Sequence, residues 1–106
     1  MFGGLADDSL DGGLGNDLLL GNQGNDLIAS TTGSDSMYGG QGNDQITAGQ
    51  DDDFVFGNRD DDLLFGNDGN DLIYGGQGND MVSGGENADT IWGGTGDDSV
   101  SGIQGD

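Results

Sequence analysis

Stepping along the chain by nine residues from Gly3 finds an apolar side chain at the eighth place of every unit: Leu10, Leu19, Ile28, Met37, Ile46, Val55, Leu64, Ile73, Val82, Ile91 and Val100. The sixth place is always aspartate: Asp8, Asp17, Asp26, Asp35, Asp44, Asp53, Asp62, Asp71, Asp80, Asp89 and Asp98. Eleven units, from unit 1 (3–11) to unit 11 (93–101), follow one another without insertion or deletion. Each reads as a six-residue turn followed by a three-residue strand at places seven to nine. Alternation along such a strand sends place eight inward and places seven and nine outward. One inward residue makes no core alone, so the units must stack, and residues 1–106 are expected to form a single all-β domain.

Places two and four carry a backbone message. Each is Gly in seven units, and six of the eight exceptions are Asn or Asp (Asn22, Asn58, Asn67, Asp51, Asp60, Asn87). Those residue types best tolerate a positive φ, so both places are expected to be left-handed. Thr31 and Ala6 break the rule, and strain or fraying is expected there. At place five, Asn and Asp interchange (Asn16, Asn25, Asp52, Asp97), which reads as local turn chemistry.

Charge changes the picture. With 21 acidic residues, one Arg (Arg59) and no His or Lys, the net charge is −20. Such a polyanion repels nucleic acid and anionic membrane surfaces, and its natural partners are cations. With 25 Gly, 30% apolar residues and no Cys, neither a large hydrophobic core nor a disulfide holds the fold. The longest apolar runs, such as Leu18–Leu20, are three residues, far short of a membrane span, and no signal-peptide pattern opens the chain. Without His or Cys, and with the carboxylates of Asp51–Asp53 and Asp60–Asp62 lying in turns, catalysis is poorly supported and no enzyme is expected.

Calcium satisfies these demands. Ca²⁺ takes six to eight oxygens, largely carboxylate and carbonyl, and Gly-rich turns expose carbonyls. Asn would serve a turn as well as Asp, yet place six never uses it. The segments Gly39-Gly-Gln-Gly-Asn-Asp44 and Gly75-Gly-Gln-Gly-Asn-Asp80 resemble the calcium-binding nonapeptide of the RTX (repeats-in-toxin) family, and the resemblance extends over essentially the whole chain. It implies a right-handed parallel β-roll of about six turns, two units per turn, with two facing sheets. It also implies Ca²⁺ between loops n and n+2, bound by the eleven place-six aspartates and by backbone carbonyls of turns such as Gly40, Gly42, Gly76 and Gly78. Eleven loops give nine n/n+2 pairs, hence nine interior sites, whose +18 nearly cancels −20. The family is secreted, which implies an extracellular or cell-surface location.

In a two-unit turn the even-numbered units share one sheet. Their ninth places read Leu20, Tyr38, Phe56, Tyr74 and Trp92, with Phe2 in the same register, and their seventh places add Leu18, Phe54 and Leu72. Of the aromatics only Phe65 falls on the other sheet, whose outward residues include Ser9, Asp11, Gln45, Thr47, Ser83, Ser99 and Ser101. The apolar strip reads as an interface for another copy, a further domain, or a carbohydrate or hydrophobic surface. Met1 and Phe2 would complete a unit opened by Gly102–Asp106 of a neighbouring chain, with Ile103 and Asp106 at the joint. Two functions follow: a calcium-folded structural protein that stacks end to end into filaments, or a calcium-folded module of a larger secreted toxin, hydrolase or adhesin.

Overall fold

The structure is a computed structural model that describes residues 1–102. Twelve strands make it up: β1 (Phe2–Gly4), β2 (Ser9–Asp11), β3 (Leu18–Gln23), β4 (Leu27–Ala29), β5 (Ser36–Gln41), β6 (Gln45–Gln50), β7 (Phe54–Arg59), β8 (Leu63–Asp68), β9 (Leu72–Gln77), β10 (Met81–Glu86), β11 (Thr90–Thr95) and β12 (Ser99–Ser101). Odd strands form one six-stranded sheet and even strands the other, each in sequence order. Every pairing is parallel and offset by eighteen residues, as in Met37↔Val55 and Val55↔Ile73. The chain is therefore an all-β solenoid of about six turns, two units per turn. No helix among the described residues is long and apolar enough to cross a membrane.

The strands are longer than the period implied. Most run six residues, from place seven through place three of the next unit, and the turn shrinks to places four to six. The left-handed residue at place two bends the chain without ending the ladder. Asn58 has φ 84° and still pairs with Gly40 on one side and Gly76 on the other. The turns from unit 5 onward bend alike at place two, so the hydrogen-bonding groups of stacked copies stay opposite one another.

The six Asn and Asp exceptions at places two and four all have positive φ, between 74° and 84°. Thr31 and Ala6 do not, and so escape the strain expected of them. The fraying expected at Thr31 does occur: β4 stops at Ala29, and only the isolated bridges Leu14↔Thr32 and Thr32↔Gln50 continue the ladder.

Place eight is the core. Leu19, Ile28, Met37, Ile46, Val55, Leu64 and Ile73 are wholly buried. It is not the only inward place. Place one is also buried through the middle of the stack, including Ala48 and Ser30, and so are most of the aspartates. Toward the C-terminal end the core opens: Ile91 is partly buried and Val100 is 50% exposed.

The aromatic column lies on the odd-strand sheet in the expected register, Phe2↔Leu20↔Tyr38↔Phe56↔Tyr74↔Trp92. Tyr38 and Phe56 stack at 4.9 Å and 5°, close to the spacing of neighbouring strands. Farther along the rings fan out, to 6.3 Å for Phe56–Tyr74 and 5.7 Å for Tyr74–Trp92. Phe2, Leu18, Phe54, Tyr74 and Trp92 are exposed, while Leu20, Tyr38, Phe56 and Leu72 are half-covered by their neighbours. The opposite face is less polar than expected, because place seven there carries Leu27, Leu63 and Met81.

The one-residue core sets the mutational cost by depth. In the folded protein, Ile46→Ala should lower the unfolding free energy by about 2–5 kcal/mol. Val100→Ala, half exposed already, should cost less than about 1 kcal/mol by denaturant melt. Equal losses would show that place eight is not a continuous core.

Candidate metal centre

Each turn ends on its aspartate, and stacking lines these up in two files, one along each edge of the roll. Within a file the contacts are uniform. The backbone N–H of each aspartate donates to Oδ1 of the aspartate eighteen residues later: Asp8 to Asp26 (2.8 Å), Asp26 to Asp44 (2.8 Å), Asp44 to Asp62 (2.8 Å), Asp62 to Asp80 (2.9 Å) and Asp80 to Asp98 (3.0 Å). The other file runs Asp17 to Asp35 (2.7 Å), Asp35 to Asp53 (2.8 Å), Asp53 to Asp71 (2.9 Å) and Asp71 to Asp89 (3.0 Å). All eleven place-six aspartates belong to these files. The nine n/n+2 pairs counted from sequence are nine hydrogen-bonded contacts.

The second oxygen is different. Oδ2 of Asp17, Asp26, Asp35, Asp44, Asp53, Asp62, Asp71 and Asp80 is buried and accepts no hydrogen bond. A buried carboxylate oxygen without a donor is costly, so these atoms need a cation or a proton. Oδ2 lies over the bare Cα of place one. At Gly57 an added Cβ would collide with Asp62 Oδ2 and stand 2.6 Å from the carbonyl oxygen of Gly75. Glycine at place one therefore keeps room for a carboxylate and a carbonyl to approach each other.

The turn carbonyls also face along the stack. Those of Gly76 and Gly78 point at the left-handed Gly94 and Gly96 of the next turn, closely enough that a side chain there would strike them. Gly40 and Gly42 hold the equivalent positive-φ places two and four of unit 5. Among the described residues no three acidic side chains converge to form a closed cage. A cation here would take one or two carboxylates and complete its shell from carbonyls, which suits the oxygen preference of Ca²⁺.

Place five holds a second ladder that the turn reading missed. Its side chains bond the next loop, not their own: Asn25 Oδ1 accepts from Asn43 N–H (2.8 Å), Asn43 Oδ1 from Asp61 N–H (3.0 Å) and Asp61 Oδ1 from Asn79 N–H (2.8 Å). This ladder reaches forward along the chain, whereas the aspartate ladder reaches back. The signal was present: nine of the eleven residues at place five are Asn or Asp, each carrying an Oδ1.

Burial is the main reason the central carboxyls hold their protons tightly. It lifts Asp44 to about 6, Asp53 to about 7, Asp62 to about 8 and Asp71 to about 6, and raises Asp80. The hydrogen bond from the preceding turn opposes the rise. Neighbouring carboxylates add to it, as Asp71, Asp35 and Asp51 do for Asp53. Because the folded-state values lie above the ordinary 3.8, protonation favours the metal-free roll. That stabilisation is complete below about pH 4 and is lost as pH rises through 6 to 8. Metal-free chain should therefore gain strand signal in circular dichroism on acidification from pH 8 to pH 4.5. Loss of strand signal on acidification would mean that these carboxylates are not buried in the metal-free roll.

The family described as the RTX calcium-binding nonapeptide repeat (4 copies) matches residues 1–28, 20–55, 30–64, 47–82, 56–91 and 80–106, overlapping stretches that together run the length of the chain. No curated protein and no solved structure matches. Uninterrupted repeats, parallel two-sheet architecture and family match agree: the chain belongs to the RTX calcium-binding nonapeptide repeat family and is a calcium-binding structural module.

Proposed function

We propose that Ca²⁺ is the folding ligand of this chain, held between loops n and n+2 by the place-six aspartates from Asp8 to Asp98 and by turn carbonyls such as those of Gly40, Gly42, Gly76 and Gly78. The observation that carries this reading is the row of buried Oδ2 atoms without hydrogen-bond donors. When bound, the ion supplies positive charge and carbonyl coordination. The chain supplies the rest: Oδ1 is fixed by the preceding turn, Oδ2 is left bare, and place-one glycine clears the space. Nine interior pairs would bring +18 against −20.

Calcium at ~10⁻⁴ to 10⁻³ M, the range of extracellular modules, should convert a disordered chain into a strand-rich one in a cooperative circular dichroism titration. A strand spectrum that persists in excess chelator near pH 7.5 would sink the proposal. Ligand position should matter as well. Asp62 contacts the turns on both sides, through Asp44 N–H and Asp80 Oδ1, whereas Asp8, at the end of its file, meets one aspartate, Asp26. Asp62→Ala should shift the calcium midpoint on the order of tenfold, and Asp8→Ala much less. Equal shifts would contradict stacked sites.

The finer reading is an extracellular protein that stacks end to end into filaments. Its support is the strand order: among the described residues β1 and β2 at one end and β11 and β12 at the other pair on one side only, and Met1, Phe2 and Val100 are exposed there. Ile103 and Asp106, the other half of the joint, lie outside the described residues. Six turns at about 4.8 Å would give an axial repeat of about 29 Å. The alternative, a module of a larger secreted toxin, hydrolase or adhesin, is supported by the family match, which concerns repeats alone. Sedimentation velocity in millimolar calcium separates the two, since a monodisperse monomer excludes the filament. Replacing Tyr38, Phe56 and Tyr74 by Ser should leave calcium-induced folding intact and weaken lateral association by light scattering. Unchanged association would remove the aromatic strip from any interface.

A further inference from the structure

We infer that the two edges of the roll are unequal calcium hosts: the edge of the odd-numbered units is continuous, and the opposite edge is broken at units 4 and 6 by Ser30, Thr31 and Ala48. This rests on the proposed function, since it concerns how calcium divides between the two files of aspartates.

On the odd edge every place-one residue is glycine, from Gly3 to Gly93. At Gly39, as at Gly57, the bare Cα faces Oδ2 of its own unit's aspartate and the carbonyl oxygen of the next place-one residue on that edge, 2.9 Å from where a Cβ would stand. Carboxylate and carbonyl oxygens therefore meet over an open space at successive turns. Place two on this edge is left-handed from Asn22 through Gly40, Asn58 and Gly76 to Gly94.

The even edge departs from this in one stretch. Ser30 and Ala48 put a real Cβ at the place glycine keeps empty, and both are buried, at 8% and 0% exposure. Beside Gly12 the near neighbours are Asp17 Oδ2 and Ser30 Oγ, each 3.0 Å from where a Cβ would stand, so a hydroxyl occupies the position a carbonyl takes elsewhere. Thr31 is not left-handed, and the backbone rearranges around it. Besides its ladder donor Thr32 N–H (3.2 Å), the carbonyl of Gly13 consequently accepts two further donors, Thr31 N–H (3.0 Å) and Ser30 Oγ–H (3.3 Å). A carbonyl whose lone pairs point at N–H and O–H groups is poorly placed to serve a cation. The loops of Asp17, Asp35 and Asp53 thus combine narrowed space with an occupied carbonyl, while Asp35 and Asp53 still present bare, buried Oδ2 atoms.

Calcium would then load the odd edge first, as one run, and fill the Asp17–Asp35–Asp53 stretch only at higher concentration. Isothermal titration calorimetry of the whole chain, with circular dichroism read on the same samples, tests this. Two classes of site are expected, with midpoints about tenfold or more apart. The variant S30G/T31G/A48G should draw the weaker class toward the tighter one, within about threefold. D53N should lower the stoichiometry of the weak class only, whereas D44N should shift the tight class. A single class in the unmodified chain, or two classes unchanged in both the triple-glycine variant and D53N, would overturn the inference while leaving calcium-driven folding intact. A chain that takes up no calcium at all would overturn the proposed function and this inference with it.

Discussion

Like charge stacked on like charge is the constraint from which the rest of this structure follows. Each turn places its aspartate directly against the aspartate one turn away, and nine such contacts run along the two edges. Two full charges about 5 Å apart repel by roughly 3 kcal/mol at an effective dielectric of about 20. Repulsion adds to the cost of burial, which is the larger reason that Asp44 is lifted to about 6 and Asp62 to about 8. The hydrogen bond to each Oδ1 only partly offsets this, because Oδ2 stays buried and bare. The core cannot make up the difference, being a single apolar column at place eight joined by Ala48 from place one. A roll of this sequence is therefore a host that needs a guest, and stability and ligand occupancy are one quantity.

Much of this could be read in the sequence because each column has one physical job. Place eight meets the opposite sheet, and apolar residues alone satisfy it. Places two and four need positive φ, which Asn22 and Asp60 supply as Gly does. What escaped reading depends on neighbours eighteen residues away. Six-residue strands were hidden because Gly at place one and Asn at place two carry no strand preference, and only pairing with identical bends keeps them in the ladder. Burial of place one was hidden too, since a glycine column explained by turn geometry gives no hint that an aspartate lies over it. Asn43 looked like a turn residue until stacking revealed Asp61 N–H above it. Leu27, Leu63 and Met81 were legible as outward apolar residues on the face of Phe65.

The two polar ladders differ in direction, and this defines each loop from both sides. At unit 5, Asn43 Oδ1 reaches forward to Asp61 N–H, while Asp44 Oδ1 reaches back to Asp26 N–H. Adjacent residues of one turn are thus tied to opposite neighbours. A loop so held has little freedom to slide, so the open space beside place one is set by the stack. The departures at Ser30 and Thr31 are correspondingly confined: β4 ends early, yet β6 regains full length one turn later.

The eighteen-residue offset between paired strands also limits how such a chain can change length over evolutionary time. Duplicating two neighbouring units adds a whole turn and leaves every downstream residue on its original face. Duplicating one unit exchanges the faces of everything beyond it, moving Tyr74 and Trp92 to the side of Phe65 and splitting the aromatic column. Gaining or losing a single residue brings an outward place-seven or place-nine side chain, such as Gln45 or Thr47, to where the core should be. Growth of this molecule is quantised, and whole-turn steps are the ones that keep the column from Phe2 to Trp92 intact.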